Sequence, residues 1–306
     1  MKYLVLSIAI LFTGTIISAA EPSAAERLQD ISVTIDTGSG QGSGTLFNRK
    51  VDGKVVTYVW TAAHVVDGLR KQRTVIINGS PKTVVEFSDA TLIQEFRQSG
   101  RRIGEARMDA RVVRYSDAER GEDLALLEVR QRDFVPEKTS TKFYLKETIP
   151  AVGTRLAHVG SLLGQVGANS YTEGVVSQIG RVVEDLGANG VVFDQTTVTA
   201  FPGSSGGGVY EASTGDYVGM LVRGAGEQFN LIVPVRRMKE WAKSAKVEWA
   251  LDPEAKYPNA VELKELPIED SGVTFNGNND GKPCKDLPYL FRVTAARVDI
   301  IRVNDK

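Results

Sequence analysis

The sequence predicts an all-β protein. Between residues 31 and 135, short apolar runs alternate with glycine and polar turns, which is the pattern of half-buried strands. Helical spacing is read in one late stretch, where Met238, Trp241, Ala242 and Ala245 fall on a single face behind Pro234. A lone cysteine, Cys284, rules out any intrachain disulfide, so the chain must be held by packing rather than by covalent staples.

Taken in order, the strand candidates of the first half are Ser32–Ile35, Gly44–Phe47, Val55–Trp60, Thr74–Ile77, Thr91–Phe96, Arg111–Tyr115 and Leu124–Val129. Gln94–Arg107 is polar and contains glycine, which suggests a long hairpin projecting outward. Its arginines, Arg97, Arg101, Arg102 and Arg107, read as a solvated face. Gln131–Pro150 is mixed, polar and bounded by proline, which suits a crossover. Arg155–Val159 has a strand pattern that places His158 far from the glycine-rich loop at 201–208, as a structural histidine. Gly180–Gly190 reads as a hairpin end. After Lys246 come strand-like Tyr289–Val293 and Arg297–Val303, preceded by the polar turn Asn276–Gly281.

The N-terminus reads as a secretory signal. Lys2 supplies the positive end, Leu4–Ile17 the apolar core, and Ser18-Ala-Ala20 a small-residue cleavage site, with the cut after Ala20. The apolar run falls short of the roughly 20 residues that span a bilayer, and no other segment is apolar enough to cross. The expected location is periplasmic or extracellular. Formal net charge is −1 with 25% charged residues evenly mixed, so the chain carries no field suited to nucleic acid or a membrane surface. Two histidines and one cysteine, spread along the chain, form no metal-ligand spacing, and no cofactor is implied.

Chemistry concentrates in three stretches. Phe201-Pro-Gly-Ser-Ser-Gly-Gly-Gly208 is a side-chain-poor loop that can present a serine hydroxyl and aim backbone N–H groups at one point, as acyl transfer requires. A serine needs a base, and the base needs a carboxylate to orient it. Thr61-Ala-Ala-His64 and Glu122-Asp123-Leu-Ala-Leu-Leu127 supply these at the ends of apolar runs. Gly203-Ser-Ser-Gly-Gly207 also fits the nucleophile elbow of α/β-hydrolases, but that fold needs a histidine after the serine. None follows Ser205.

These motifs, in the order His64, Asp123, Ser205, resemble those of the trypsin-like serine peptidases, closest to the HtrA/Deg type. Gly40-Gln-Gly-Ser-Gly-Thr45, Gly174-Val-Val-Ser177, Gln195-Thr and Ile232-Val-Pro234 extend the resemblance over residues 30 to 245. It implies two six-stranded antiparallel β-barrels of the chymotrypsin type, a closing C-terminal helix and a short β-rich tail. The expected division is a signal peptide (1–20), a first barrel with His64 and Asp123 (28–135), a second barrel and helix with Ser205 (151–245), and an extension (246–306). The 58 residues between His64 and Asp123 exceed what this type usually carries. The extension is too short for the usual PDZ domain; a β-rich appendage on the protease and an oligomer contact are both open to it.

By the same resemblance, Ser205 is the nucleophile, His64 the general base and then acid, and Asp123 the orienting carboxylate. The N–H groups of Gly203 and Ser205 form the oxyanion hole. Ser204 and Glu122 are set aside on register. Thr199, six residues before the nucleophile, lies at the floor of the substrate pocket, with Leu221, Val222 and Arg223 on its wall. An uncharged Thr199 implies cleavage after small or medium uncharged residues, or after an acidic residue if Arg223 points inward. The implied partners are protein or peptide substrates, including unfolded ones. The alternative function is a catalytically silent relative that binds unfolded polypeptide or a protein partner. Control by a newly exposed N-terminus is disfavoured, because the mature chain would begin at Glu21 rather than Ile or Val.

Overall fold

The computed structural model describes residues 22–98, 100–119, 121–183, 191–224, 228–269, 289–294 and 297–302, the last two segments as backbone only. The signal segment, the tip of the 180–190 hairpin and Cys284 lie outside the described residues.

The described chain opens on α1 (Ala24–Asp30), whose first turn is fixed by a capping box. The Ser23 hydroxyl accepts the Glu26 N–H, and the Glu26 carboxylate accepts the Ser23 N–H. Strands β1 (Ser32–Asp36), β2 (Gln41–Val51) and β3 (Lys54–Thr61) form a meander that ends in a one-turn helix, α2 (Ala63–Val66). Among the described residues, the hairpin β4 (Arg70–Ile77) and β5 (Ser80–Phe87) pairs only with itself. Then β6 (Ala90–Gln98), β7 (Arg101–Ser116) and β8 (Leu124–Val129) complete a closed barrel in the order β1-β2-β3-β8-β7-β6. The β6–β7 hairpin is the projecting one. Three of its arginines are ion-paired, Arg97 to Glu95, Arg102 to Glu95 and Glu105, and Arg107 to Glu105.

The second barrel consists of β9 (Arg155–Leu162), β10 (Gly167–Val182), β11 (Val192–Thr196), β12 (Gly208–Glu211), β13 (Tyr217–Gly224) and β14 (Asn230–Pro234). It closes in the order β10-β11-β14-β13-β12-β9. All-β architecture with two six-stranded antiparallel barrels is therefore what the chain adopts. α3 (Val235–Ser244) follows, with Pro234 as the last strand residue before it, and its apolar face (Met238, Trp241, Ala242) is buried. A short helix, α4 (Ala260–Glu265), and a backbone hairpin of β15 (Tyr289–Thr294) and β16 (Arg297–Arg302) complete the elements.

The barrels are joined through the crossover. Phe143 stacks edge-on between Phe47 of β2 (5.8 Å) and Tyr217 of β13 (5.2 Å), and Tyr217 in turn meets Tyr210 of β12 (5.5 Å). Such aromatic pairs add about 0.5–1.5 kcal/mol each beyond area burial. The crossover is also hydrogen-bonded to both sides: the Tyr217 N–H donates to Lys142 O (2.7 Å), and the Thr141 hydroxyl to Leu46 O (2.7 Å). Past α3 the chain folds back over the first barrel. Trp249 packs on Tyr58, the Trp60 indole donates to Ala250 O (3.1 Å), and Arg70 makes a two-pronged pair with Glu269.

Candidate active site

His64 is placed by a change of element. β3 delivers Thr61 into the barrel, and the chain then turns into α2, whose second residue is His64. Asp123 sits at the mouth of β8 in a left-handed conformation (φ 55°) that Asp tolerates better than most residues. Its side chain is buried and approaches His64 three ways. The carboxylate oxygens lie 2.9 and 3.0 Å from Nδ1, and one also accepts the His64 backbone N–H at 3.1 Å. A carboxylate can only accept, so it selects the Nδ1–H tautomer and leaves the Nε2 lone pair available as a base.

The loop 201–207 presents Ser205 from the second barrel. The Ser43 N–H of β2 donates to Ser205 O (2.8 Å), and the Ser43 hydroxyl donates to Gly203 O (2.6 Å). On the other side, the Gly206 N–H donates to Leu221 O (2.8 Å), and the Leu221 N–H to Gly207 O (3.0 Å). Gly206 has no room for any side chain. At φ 87° its Cβ would fall 2.2 Å from Ser43 O and 2.3 Å from the Thr61 hydroxyl. The Ser204 hydroxyl accepts the Phe201 N–H (3.0 Å) and is buried, whereas Ser205 Oγ meets only Val222 O, at 3.4 Å. Of the two serines, Ser204 is thus the one used to shape the loop.

Pro202 O accepts the Leu163 N–H at 2.8 Å. A trans peptide sets its C=O and N–H on opposite sides, so the Gly203 N–H faces away from Leu163. Among the described residues no acceptor takes the N–H of Gly203 or Ser205.

A cleft of about 1090 Å³ opens beside the serine, lined among others by Thr199, Ala200, Pro202, Ser205, Val222 and Asn230. All four residues expected at the substrate pocket, Thr199, Leu221, Val222 and Arg223, border this cleft. Thr199 is exposed to the cleft opening. Leu221 and Val222 line it while packing into two different core clusters. The Arg223 guanidinium reaches His64, 2.9 Å from Nδ1, 3.4 Å from Nε2 and 3.6 Å from the Asp123 carboxylate. The carboxylate in the lining, Glu173, is held by Arg155 (2.5 Å) and the Tyr171 hydroxyl (2.8 Å).

His158 is not remote from the serine loop. β9 pairs with β12 so that His158 faces Val209, and a Cβ on Gly207 would strike its ring at 2.7 Å. It is wholly buried, and its Nδ1–H donates to Gly208 O (3.0 Å). Burial pulls its pKa down to about 4, because the charged ring would have no solvent and Nε2 has no acceptor among the described residues. In the unfolded chain a histidine titrates near 6.5. Below that pH the unfolded state takes up a proton that the folded state refuses. The contribution is therefore complete above pH 6.5 and is lost as pH falls toward 4, amounting to roughly 3 kcal/mol. Urea unfolding should show this decline, and His158→Gln should lack that part of it; an unchanged pH dependence in the variant would contradict the assignment.

Sequence reasoning missed the clamp behind Asp123. Arg237 of α3 is buried, bonds the Glu122 carboxylate and donates to Glu122 O (2.7 Å), with its guanidinium over the Phe193 ring (4.7 Å). A charged residue among the buried-face positions of α3 was the available signal. Ser43 was also missed, although its motif Gly40–Thr45 was noted.

A family model for the trypsin-like peptidase domain matches residues 42–220, more than half of the chain. The chain belongs to the trypsin-like peptidase family. Among solved structures, this trypsin-like chain is similar to a serine endoprotease from Yersinia pestis, at 18% identity over 75% of this chain and 68% of that one (TM-score 0.50). It is also similar to Rv3671c of M. tuberculosis H37Rv, solved as an inactive serine-to-alanine mutant, at 15% identity over 79% and 100% (TM-score 0.51). The HtrA-type protease AlgW, solved with a tripeptide, matches at 17% over 74% and 64% (TM-score 0.52). At these identities the likeness is one of fold. Among the described residues no helix is long and apolar enough to cross a membrane, and no group of three or more His, Cys, Asp or Glu could hold a metal ion.

Proposed function

We propose that the chain is a secreted or periplasmic serine endopeptidase that hydrolyses peptide bonds through His64, Asp123 and Ser205. The observation that carries this reading is the threefold grip of Asp123 on His64, which fixes the tautomer a general base needs. Ser205 Oγ attacks the scissile carbonyl while His64 Nε2 takes its proton, and the oxyanion is received by the N–H groups of Gly203 and Ser205. His64 then protonates the leaving amine, and water resolves the acyl-enzyme by the reverse proton path.

The cleft favours a small or medium uncharged side chain before the scissile bond. A buried guanidinium or ammonium needs a partner charge, and Glu173 is already engaged. Digestion of an unfolded protein, with fragments identified by mass spectrometry, should give cuts after such residues, absent with Ser205→Ala. A dominant cut after Arg or Lys would overturn the pocket assignment, and persistence of cuts in Ser205→Ala the nucleophile.

A further inference from the structure

Arg223 is out of place for an enzyme at work. Its guanidinium lies within 3.4 Å of both ring nitrogens of His64. Guanidinium only donates, and with the Nδ1–H given to Asp123 the acceptor the ring offers it is Nε2, at 3.4 Å, so it competes for the lone pair that must receive the serine proton. Ser205 Oγ is correspondingly not bonded to His64 and meets Val222 O instead. Protonating the imidazole would then set two cations side by side in a site of reduced solvent. The nearest carboxylate, Asp123, stands 3.6 Å away and already serves both N–H groups of His64. Arg223 therefore has an incompletely matched charge, about one-third exposed, on a side chain rooted directly after the residue that holds Ser205 Oγ.

We infer that Arg223 is a latch which the substrate displaces, and that an acidic side chain close to the scissile bond promotes its release; the inference rests on the triad reading above. A carboxylate can take the guanidinium through two parallel hydrogen bonds, leaving Nε2 to Ser205. Extended chain advances about 3.3–3.6 Å per residue. A carboxylate that draws Arg223 off the ring while the scissile bond stays at Ser205 thus lies within about two residues of the cut. The substrates are peptides with an uncharged residue in the cleft and Asp or Glu beside it.

The test compares wild type with Arg223→Ala and Arg223→Gln, two variants because the side chain also touches Val222 O. The readouts are the labelling rate of Ser205 by a fluorophosphonate and kcat/KM on matched peptides that differ only by Glu or Gln next to the cut. Wild type should prefer the Glu peptide by about tenfold or more, the strength of one charge-assisted contact. Both variants should lose that preference, cleave the Gln peptide faster than wild type, and label faster in the absence of peptide. Labelling at equal rates in all three proteins, or a Glu preference that survives in both variants, overturns the latch alone. Absence of Ser205 labelling in all three overturns the triad reading and the latch with it.

Discussion

Ser205→Ala should lower peptide turnover on the order of a million-fold without unfolding the protein. The hydroxyl makes a single long contact at 3.4 Å, while the backbone of the residue is held independently through Ser43. Ser204→Ala makes the opposite case. Its hydroxyl is buried and bonded to the Phe201 N–H, so its loss should cost about 1 kcal/mol of stability and leave measurable turnover. His64→Ala should match Ser205→Ala, because the two act as a unit. Steady-state rates with a thermal melt of each variant decide the matter, and turnover surviving in Ser205→Ala would remove it from the mechanism.

The largest effect on stability is expected at Arg237. Arg237→Met strands the Glu122 carboxylate without its guanidinium in a mostly buried position, and breaking such a pair costs about 3–5 kcal/mol. The consequence reaches the site, because Glu122 immediately precedes Asp123 and Arg237 also holds the Glu122 carbonyl. Replacing both partners, Glu122→Gln with Arg237→Met, should recover a substantial part of the loss, since no charge is then left unpaired. A denaturant-unfolding double-mutant cycle measures the coupling. Additive losses would show that the pair is not the clamp between α3 and the Asp123 loop.

How much of this could be read in advance depended on where each side chain's partners sit. β1, β3, β6 and β8 were legible because most of each strand is buried on both faces, which writes a short apolar run into the sequence. The β4–β5 hairpin was read only at Thr74–Ile77, since it is largely exposed and burial has nothing to record. For the same reason β7 was seen at Arg111–Tyr115 and missed over its solvated first half. The His64–Asp123 contact was legible through motif order. His158 was misplaced because its closeness to the serine loop comes from the β9–β12 pairing, about fifty residues apart in sequence, which no local pattern contains. The Arg223 direction was equally hidden, since a strand pattern fixes a face but not where a long flexible side chain settles. The tail beyond Lys246 packs through isolated large residues, Trp249, Leu251 and Tyr257, with no period to betray them.

Ser205, served by the His64–Asp123 pair, is proposed as the nucleophile. Incubating the protein with a fluorophosphonate and locating the adduct by mass spectrometry tests it with no assumption about substrate. A single adduct on Ser205 is expected, abolished by Ser205→Ala and by His64→Ala and retained in Ser204→Ala. No adduct on the folded wild-type protein, or an adduct on Ser204 that persists in Ser205→Ala, would contradict it.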